Sequence, residues 1–244
     1  MPASRKRADV LLVERGLFES RARAQAAIAA GLVSADGVVV RKPSEAIAGD
    51  AAIEAAAAHP YVSRGGVKLA AALDHFGVAV TGRICLDVGA STGGFTEVLI
   101  ERGARRVFAV DVGSAQLHPR LRDRSDVVSL EQTDIRKLAP SLLPEAPDLA
   151  VIDVSFISLK LVLPAVGNLL TPRAQLLALI KPQFEATRAH IKKGIVRDEA
   201  IHQMVCEDIG AHIASLGWQV GGIEASAILG GDGNREFFIE AERG

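Results

Sequence analysis

Five short apolar runs, separated by stretches with helical character, constrain the fold of this chain most. They cover residues 83–88, 106–111, 127–131, 148–153 and 175–180. Parallel strands have this composition because helices cover both faces of their sheet. A helix is predicted over about 198–216, and two further strands follow it at 218–226 and 235–242. We therefore expect a doubly wound α/β sheet of about seven strands, one of them antiparallel, with the last two strands forming a hairpin at the sheet edge.

The first part of the chain does not continue this pattern. Apolar residues Val10, Leu11 and Val13 predict one side of a short helix, and Ser20 is a typical N-cap for a second helix over 21–30. The segment LVSADGVVV then predicts a hairpin that turns at Asp36-Gly37. These elements make a small α+β unit.

The boundary between the two parts is expected near Pro60. The preceding EAAAAHP has the composition of a linker, placed near residues 56–64. The predicted domains are residues 1–59 and 60–244. The N-terminus lacks the apolar core of a signal peptide and no run is long enough to span a membrane, so we expect a cytoplasmic protein.

Charge and cysteine content narrow the possible functions. The 28 Lys and Arg residues nearly balance the 29 Asp and Glu residues, so nucleic-acid affinity must come from local patches. The two cysteines, Cys85 and Cys206, lie far apart in apolar surroundings. They predict reduced, buried thiols, with neither a disulfide nor a metal site.

Two segments carry a local excess of positive charge. Residues 1–25 contain six basic and three acidic residues. The candidate RNA contacts among them are Arg5, Lys6, Arg7, Arg21 and Arg23. In residues 181–197, the candidates are Arg188, Lys192 and Lys193. Both segments suit phosphate binding. The alternatives are a solvated helix face for the first and a mobile solvated loop for the second.

The turn after the first long strand, in CLDVGASTGGF, indicates a nucleotide-like ligand. Ser91 replaces a glycine that a dinucleotide-binding loop requires, and the absence of a lysine excludes a phosphate-binding P-loop. An acid at the strand end and glycines that admit a ligand suit a molecule with an amino group and a sulfonium charge. S-adenosylmethionine fits, and its candidate contacts are Asp87, Gly89, Ser91, Thr92 and Gly93.

Two more acids follow the next strands. Asp111 lies 22 residues after Gly89, near the spacing at which an acid binds a ribose, and it serves either a dinucleotide or S-adenosylmethionine. Asp134 either receives the adenine amino group or caps a helix.

Four ionisable residues are candidates for the chemistry. Asp153 and Lys181 each end an apolar strand, Lys68 is placed in a helix before the first strand, and Glu236 in the last strand. We expect them to converge, although each alone is also typical of a cap or a surface charge. Phe156 and Phe184 lie close by in sequence and either stack on a flipped nucleotide or fill the core.

These residues carry a resemblance to known families. Ser20-Arg21, Gly31-Leu32-Val33 and the turn at Asp36-Gly37 resemble the S4-like RNA-binding domain. Asp36 stands where that family usually has asparagine. The set Lys68, Asp153, Lys181 and Glu236 matches, in order, the catalytic Lys-Asp-Lys-Glu set of the FtsJ-like ribose methyltransferases. With YVSRGGVKL, DVSFISL, IKPQFE and GNREFF, nearly the whole chain resembles the TlyA-type rRNA methyltransferases, also called the hemolysin A family.

The resemblance implies a Rossmann-like, S-adenosylmethionine-dependent methyltransferase joined to an S4-like domain. It implies methylation of a cytidine ribose 2′-hydroxyl in ribosomal RNA, with ribosomal RNA or ribosomal subunits as partner. The residues themselves predict neither a metal site nor a membrane partner. We expect Lys181 as the base and Lys68 as a neighbouring charge, with Asp153 and Glu236 orienting the pair. Alternatives are a non-catalytic RNA-binding protein, a membrane-lytic hemolysin and, more weakly, a nicotinamide oxidoreductase.

Overall fold

The computed structural model describes residues 4–230 and 232–244. The chain divides into two compact units, Met1–Pro60 and Tyr61–Gly244. Each unit has its own buried core. Among the described residues, no helix has the length and apolar character needed to cross a membrane.

The N-terminal unit consists of two helices and very short strands. The elements are β1 (Arg5–Arg7), α1 (Ala8–Glu14), α2 (Arg21–Ala29), β2 (Val33–Ala35), β3 (Val38–Val39), β4 (Ala46–Ala48) and β5 (Ile53–Ala55). Strand β1 pairs with β4, and β2 lies between β3 and β5. Of these elements, the sequence indicates only the two helices and the β2–β3 hairpin.

Those predicted elements are confirmed in detail. Ser20 caps α2 by accepting a hydrogen bond from the backbone of Arg23. The hairpin turns at Asp36 and Gly37, with φ values of 51° and 76°, as the favoured two-residue hairpin turn requires. The buried side of α1 differs from the prediction. It is formed by Ala8, Asp9, Leu11 and Leu12, while Val10 and Val13 are only partly buried.

The C-terminal unit is a three-layer α/β structure. Its elements are α3 (Arg64–Phe76), β6 (Ile84–Val88), α4 (Gly94–Glu101), β7 (Arg106–Val110), α5 (Pro119–Arg122), β8 (Val127–Leu130), β9 (Leu149–Ile152), α6 (Leu159–Leu169), β10 (Ala174–Ile180), α7 (Pro182–Glu185), α8 (Glu199–Ser215), β11 (Gln219–Ala225) and β12 (Phe237–Arg243).

The sheet of this unit has, within the described residues, the seven strands that the sequence predicts. Their order is β11-β12-β10-β9-β6-β7-β8, and β12 runs antiparallel to both of its neighbours. The last two strands form the expected hairpin at the sheet edge: β12 pairs antiparallel with β11, which is the edge strand, and joins the hairpin to the sheet by pairing with β10. Glu236 lies just before β12 and not within it.

Side chains that alternate along the strands build the core on both faces of the sheet. Leu86 and Val88 of β6 pack into one cluster, with residues of α6 and α8, while Cys85 packs into the other, with residues of α3 and α4. Both cysteines are buried and unpaired, as predicted. Burial raises the pKa of Cys85 to about 12, so this thiol stays protonated and unreactive.

Parallel strands β6, β7, β9 and β10 bring their carboxyl ends to one edge of the sheet. The strand order reverses between β6 and β9. Open α/β sheets bind ligands in the crevice outside such a switch point.

Candidate active site

The glycine-rich loop between β6 and α4 runs directly against the end of β9. Gly89 has a φ of +86°, and a Cβ atom there would overlap the backbone carbonyl of Asp153. Gly93 has a φ of +96°, and a Cβ there would overlap Leu121. Side chains are excluded at both positions by conformation and by space. Glycine at these two positions therefore lets the loop pack directly against the end of β9 and against Leu121 of α5.

The start of α3 closes the other side of this loop. A Cβ atom at Gly94 would overlap the hydroxyl of Ser63, and the carboxylate of Glu97 accepts a hydrogen bond of 2.5 Å from the backbone of Val62. Ser63, Arg64 and Gly65 line the resulting cavity. Reasoning from sequence did not single out these three residues, although the SRGG motif contains them.

Asp87, at the end of β6, is fully buried beneath the loop. One of its oxygens accepts a 2.6 Å hydrogen bond from the hydroxyl of Thr96. Its other oxygen, Oδ1, is buried and has no hydrogen-bond partner among the described residues. Burial raises the pKa of Asp87 to about 7, against the opposing effect of the Thr96 hydrogen bond.

The raised pKa of Asp87 predicts a pH-dependent stability. The folded protein holds a proton on this carboxyl that the unfolded chain releases near pH 4, so the stabilisation is complete below pH 4 and is lost as the pH rises to about 7. From pH 5 to pH 8, the free energy of unfolding should fall less in Asp87→Asn than in the wild type, with a difference of a few kcal/mol. Urea unfolding of both proteins at several pH values measures this difference. Parallel stability profiles for the two proteins would contradict the prediction.

Asp111, just after β7, organises the loop with both of its carboxylate oxygens. They accept hydrogen bonds from the backbone of Ser91 at 2.8 Å and of Gly113 at 2.7 Å. Ser91 itself has a φ of +47°. The acid thus links the glycine-rich loop to the loop after β7, which the spacing in the sequence did not reveal.

Asp134 has the capping role that the sequence left open. It accepts a hydrogen bond from the backbone of Arg136 and forms a two-pronged ion pair with the guanidinium of the same residue. This side-chain pairing lowers the pKa of Asp134 to about 2. The residue also lines the larger cavity, so an additional contact with adenine stays a prediction.

Two adjoining cavities lie at this edge of the sheet. The larger, about 550 Å³, is lined by Asp111, Asp134 and Phe156 among others. The smaller, about 250 Å³, is lined by Lys68 and Thr92 among others. Gly89, Ser91 and Asp153 line both cavities. Of the other candidates, Asp87, Gly93, Lys181 and Glu236 line neither cavity, but Lys181 and Glu236 pair with Asp153 and Lys68, which do.

The four candidates for the chemistry form two ion pairs. The Nζ atom of Lys68 lies 2.6 Å from Glu236, and that of Lys181 lies 2.5 Å from Asp153. Lys68, Lys181 and Glu236 are all buried. Because Lys68 and Asp153 line the same small cavity, both ion pairs meet at its wall.

Ser155 and Phe156 complete this region. The hydroxyl of Ser155 lies 2.9 Å from Nζ of Lys181 and provides a second polar partner that sequence reasoning missed. Phe156 is 91% exposed, has a φ of +63°, and its ring lies 5.0 Å from that of Phe184. Its exposure excludes the core-filling role for Phe156, so its ring is available at the cavity rim.

The second basic segment forms an exposed, anchored loop. Arg188, Lys192 and Lys193 are exposed, and Lys192 pairs with Ile195 in a tight turn. Asn234, which is 1% exposed, accepts a hydrogen bond from the backbone of Val196 and donates one to the carbonyl of Gly194. The structure therefore ties the loop to the residues just before β12.

In the N-terminal unit, the five candidate RNA contacts all have partners within that unit. Arg5 bonds to the carbonyl of Ala46, Lys6 pairs with Glu14, and Arg23 pairs with Glu19. Arg7 and Arg21 both pair with the buried carboxylate of Asp9. These pairings hold the side chains near the surface of α1, α2 and β1.

The sheet order, the glycine-rich loop and the ion pairs at the edge of the sheet define a methyltransferase of the Rossmann-like class. The model for the FtsJ-like methyltransferase family matches residues 61–243, and the model for the S4 domain matches residues 6–53. The chain therefore belongs to the FtsJ-like methyltransferase family and carries an N-terminal S4 domain.

Two curated relatives are similar to this chain over most of its length. YqxC of Bacillus subtilis, described as a proposed rRNA methyltransferase, is 45% identical over 98% of this chain and 86% of its own. The 16S/23S rRNA (cytidine-2′-O)-methyltransferase TlyA of Mycobacterium tuberculosis is 43% identical over 97% of this chain and 90% of its own. The TlyA-type resemblance of the sequence is confirmed by these relatives.

Solved structures agree with the fold. A proposed hemolysin from Streptococcus thermophilus superposes with a TM-score of 0.79 at 44% identity and covers 98% of this chain and 89% of its own. A magnesium protoporphyrin IX methyltransferase from Synechocystis with bound S-adenosylhomocysteine has a TM-score of 0.51 at 14% identity, over 74% of this chain and 84% of its own. The second likeness shows the shared methyltransferase fold alone.

Proposed function

We propose that this chain transfers the methyl group of S-adenosylmethionine to the ribose 2′-hydroxyl of a cytidine in ribosomal RNA. The observation that carries the proposal is that two lysine–carboxylate ion pairs meet at the wall of the cavity beside the glycine-rich loop. The activity named for the M. tuberculosis relative supports the choice of nucleoside and RNA.

The residues around the loop fit the cofactor. Gly89 lets the loop backbone run directly against the end of β9, and the buried Oδ1 atom of Asp87 offers a polar group beneath the loop. S-adenosylmethionine supplies a methyl group activated by a sulfonium charge. Ser91, Thr92 and Gly93 would hold it along the loop backbone. Asp111 would hold its ribose, and Asp134 its adenine amino group.

Lys181 is the proposed proton acceptor. A ribose hydroxyl is a weak nucleophile, so a base must take its proton as the oxygen attacks the methyl carbon, and a lysine must be neutral to do so. Asp153 and Ser155 hold Nζ of Lys181 in place. Lys68, oriented by Glu236, would direct the 2′-oxygen.

RNA capture is assigned to the two basic segments. Arg188, Lys192 and Lys193 are exposed and would contact phosphates of the substrate strand. The exposed ring of Phe156 would stack on the flipped target base. Arg5, Lys6, Arg7, Arg21 and Arg23 would contact phosphates through the S4 domain.

A labelling experiment tests the proposed function. Purified protein is incubated with isolated small and large ribosomal subunits and methyl-labelled S-adenosylmethionine, and the RNA is then hydrolysed with alkali. We expect label in an alkali-resistant dinucleotide that contains cytidine, because a 2′-O-methyl group prevents cleavage of the neighbouring phosphodiester. Absence of label from both subunits, with cofactor binding intact, would contradict the proposal and favour a non-catalytic RNA-binding protein.

A further inference from the structure

A fully buried carboxylate lies beneath the basic surface of the N-terminal unit. Asp9, in the first turn of α1, is 0% exposed and accepts hydrogen bonds from three side chains. Arg7 donates to both of its oxygens, at 3.0 and 3.1 Å. Arg21 donates twice to Oδ2, at 3.2 and 2.7 Å, and Gln25 donates once, at 2.8 Å.

The two arginines remain accessible to solvent although both are hydrogen-bonded to the buried Asp9. The side chains of Arg7 and Arg21 are 50% and 56% exposed. Each uses its Nε and one Nη atom to bond Asp9, so the other Nη atom takes no part in these bonds. An arginine fixed in this way has already lost much of the conformational freedom that binding would otherwise cost.

We propose that Asp9 is a positioning residue for RNA binding, which holds Arg7 and Arg21 side by side so that they grip neighbouring phosphates. This inference rests on the proposed function, because it takes the S4 domain to bind the RNA substrate. The paired hydrogen bonds to one buried carboxylate set both the spacing and the direction of the two guanidinium groups.

The direction in which Asp9→Asn changes RNA affinity distinguishes this positioning role from a simple charge effect. Asp9→Asn removes a negative charge, so electrostatics alone predicts tighter RNA binding. The neutral amide cannot hold two guanidinium groups as a carboxylate does, so positioning predicts weaker binding. The matched control is Asp50→Asn, the same change at an exposed residue of the same unit.

The experiment measures binding of the full chain to isolated ribosomal subunits across a series of salt concentrations. For Asp9→Asn we expect affinity about tenfold or more lower and a salt dependence reduced by the equivalent of one or two phosphate contacts. In methyl transfer, KM for the subunits should rise while kcat stays unchanged. Asp50→Asn should bind as tightly as the wild type or slightly more tightly.

A second variant keeps the test decisive if Asp9→Asn does not fold, which thermal unfolding will show. Arg21→Lys preserves the charge but loses the forked contact with Asp9, and we expect it also to bind more weakly with a reduced salt dependence. Asp9→Asn binding like Asp50→Asn, or Arg21→Lys binding like the wild type, would overturn the positioning role. Failure of the wild type to methylate either subunit would instead overturn the proposed function.

Discussion

Replacement of Lys181 by alanine is expected to remove methyl transfer and to leave cofactor binding intact. Loss of a positioned general base costs about 10²- to 10⁴-fold in rate. Lys181 pairs with Asp153, and Asp153, not Lys181, is among the residues that line the two cavities. The Asp153 side chain is 20% exposed, so water can solvate the carboxylate that loses its partner. Initial rates on ribosomal subunits and calorimetric titration with S-adenosylmethionine measure the two effects.

Two further variants distinguish the base from the ion pair. Lys181→Arg keeps a positive charge beside Asp153, but a guanidinium does not give up its proton and cannot act as the base, so we expect this variant to be inactive too. Lys160→Ala removes a more exposed lysine, 2.6 Å from Asp208, and should retain the wild-type rate. Substantial activity in Lys181→Arg would show that the charge, and not proton transfer, is what Lys181 contributes.

The sequence predicted the parallel strands well because burial on both faces leaves a local signal. Strand β9, for example, is buried at each of its four positions, and the run in the sequence exceeds it by only one residue at either end. The glycine-rich loop was found for a similar reason, since an acid followed by three glycines within eight residues is typical of a ligand-binding turn. Local patterns of this kind are sufficient to place the edge of the sheet where the site lies.

Contacts between distant segments could not be predicted in the same way. The insertion of β12 between β10 and β11 depends on strand pairing, which hydrophobic periodicity does not encode. The division of the four ionisable residues into Lys68–Glu236 and Lys181–Asp153 depends on which side chains meet, and Lys68 and Glu236 are 168 residues apart. Asp9 was missed because its three partners are brought to it by α2 and β1, and a lone acid in a helix normally faces water.

Replacement of Gly89 by alanine is expected to weaken cofactor binding strongly. The φ of +86° is unfavourable for any residue with a Cβ atom, and the added methyl group would overlap the backbone carbonyl of Asp153. Because the overlapping atom belongs to the backbone, no side-chain rotation can relieve the overlap. The loop and the end of β9 must therefore move apart. An overlap of this kind costs about 1–3 kcal/mol, and we expect affinity for S-adenosylmethionine to fall by about 10- to 100-fold.

Gly217→Ala is the matched control for this variant. Gly217 has a φ of +84°, nearly that of Gly89, but within the described part of the chain a Cβ atom there would meet nothing within 4 Å. This control therefore carries the conformational cost, about 1 kcal/mol of stability, but not the overlap. It should bind the cofactor as the wild type does. Calorimetric titration and thermal unfolding of both variants separate the two costs. If Gly89→Ala binds S-adenosylmethionine as Gly217→Ala does, the close approach of the loop to β9 is not what forms the cofactor site.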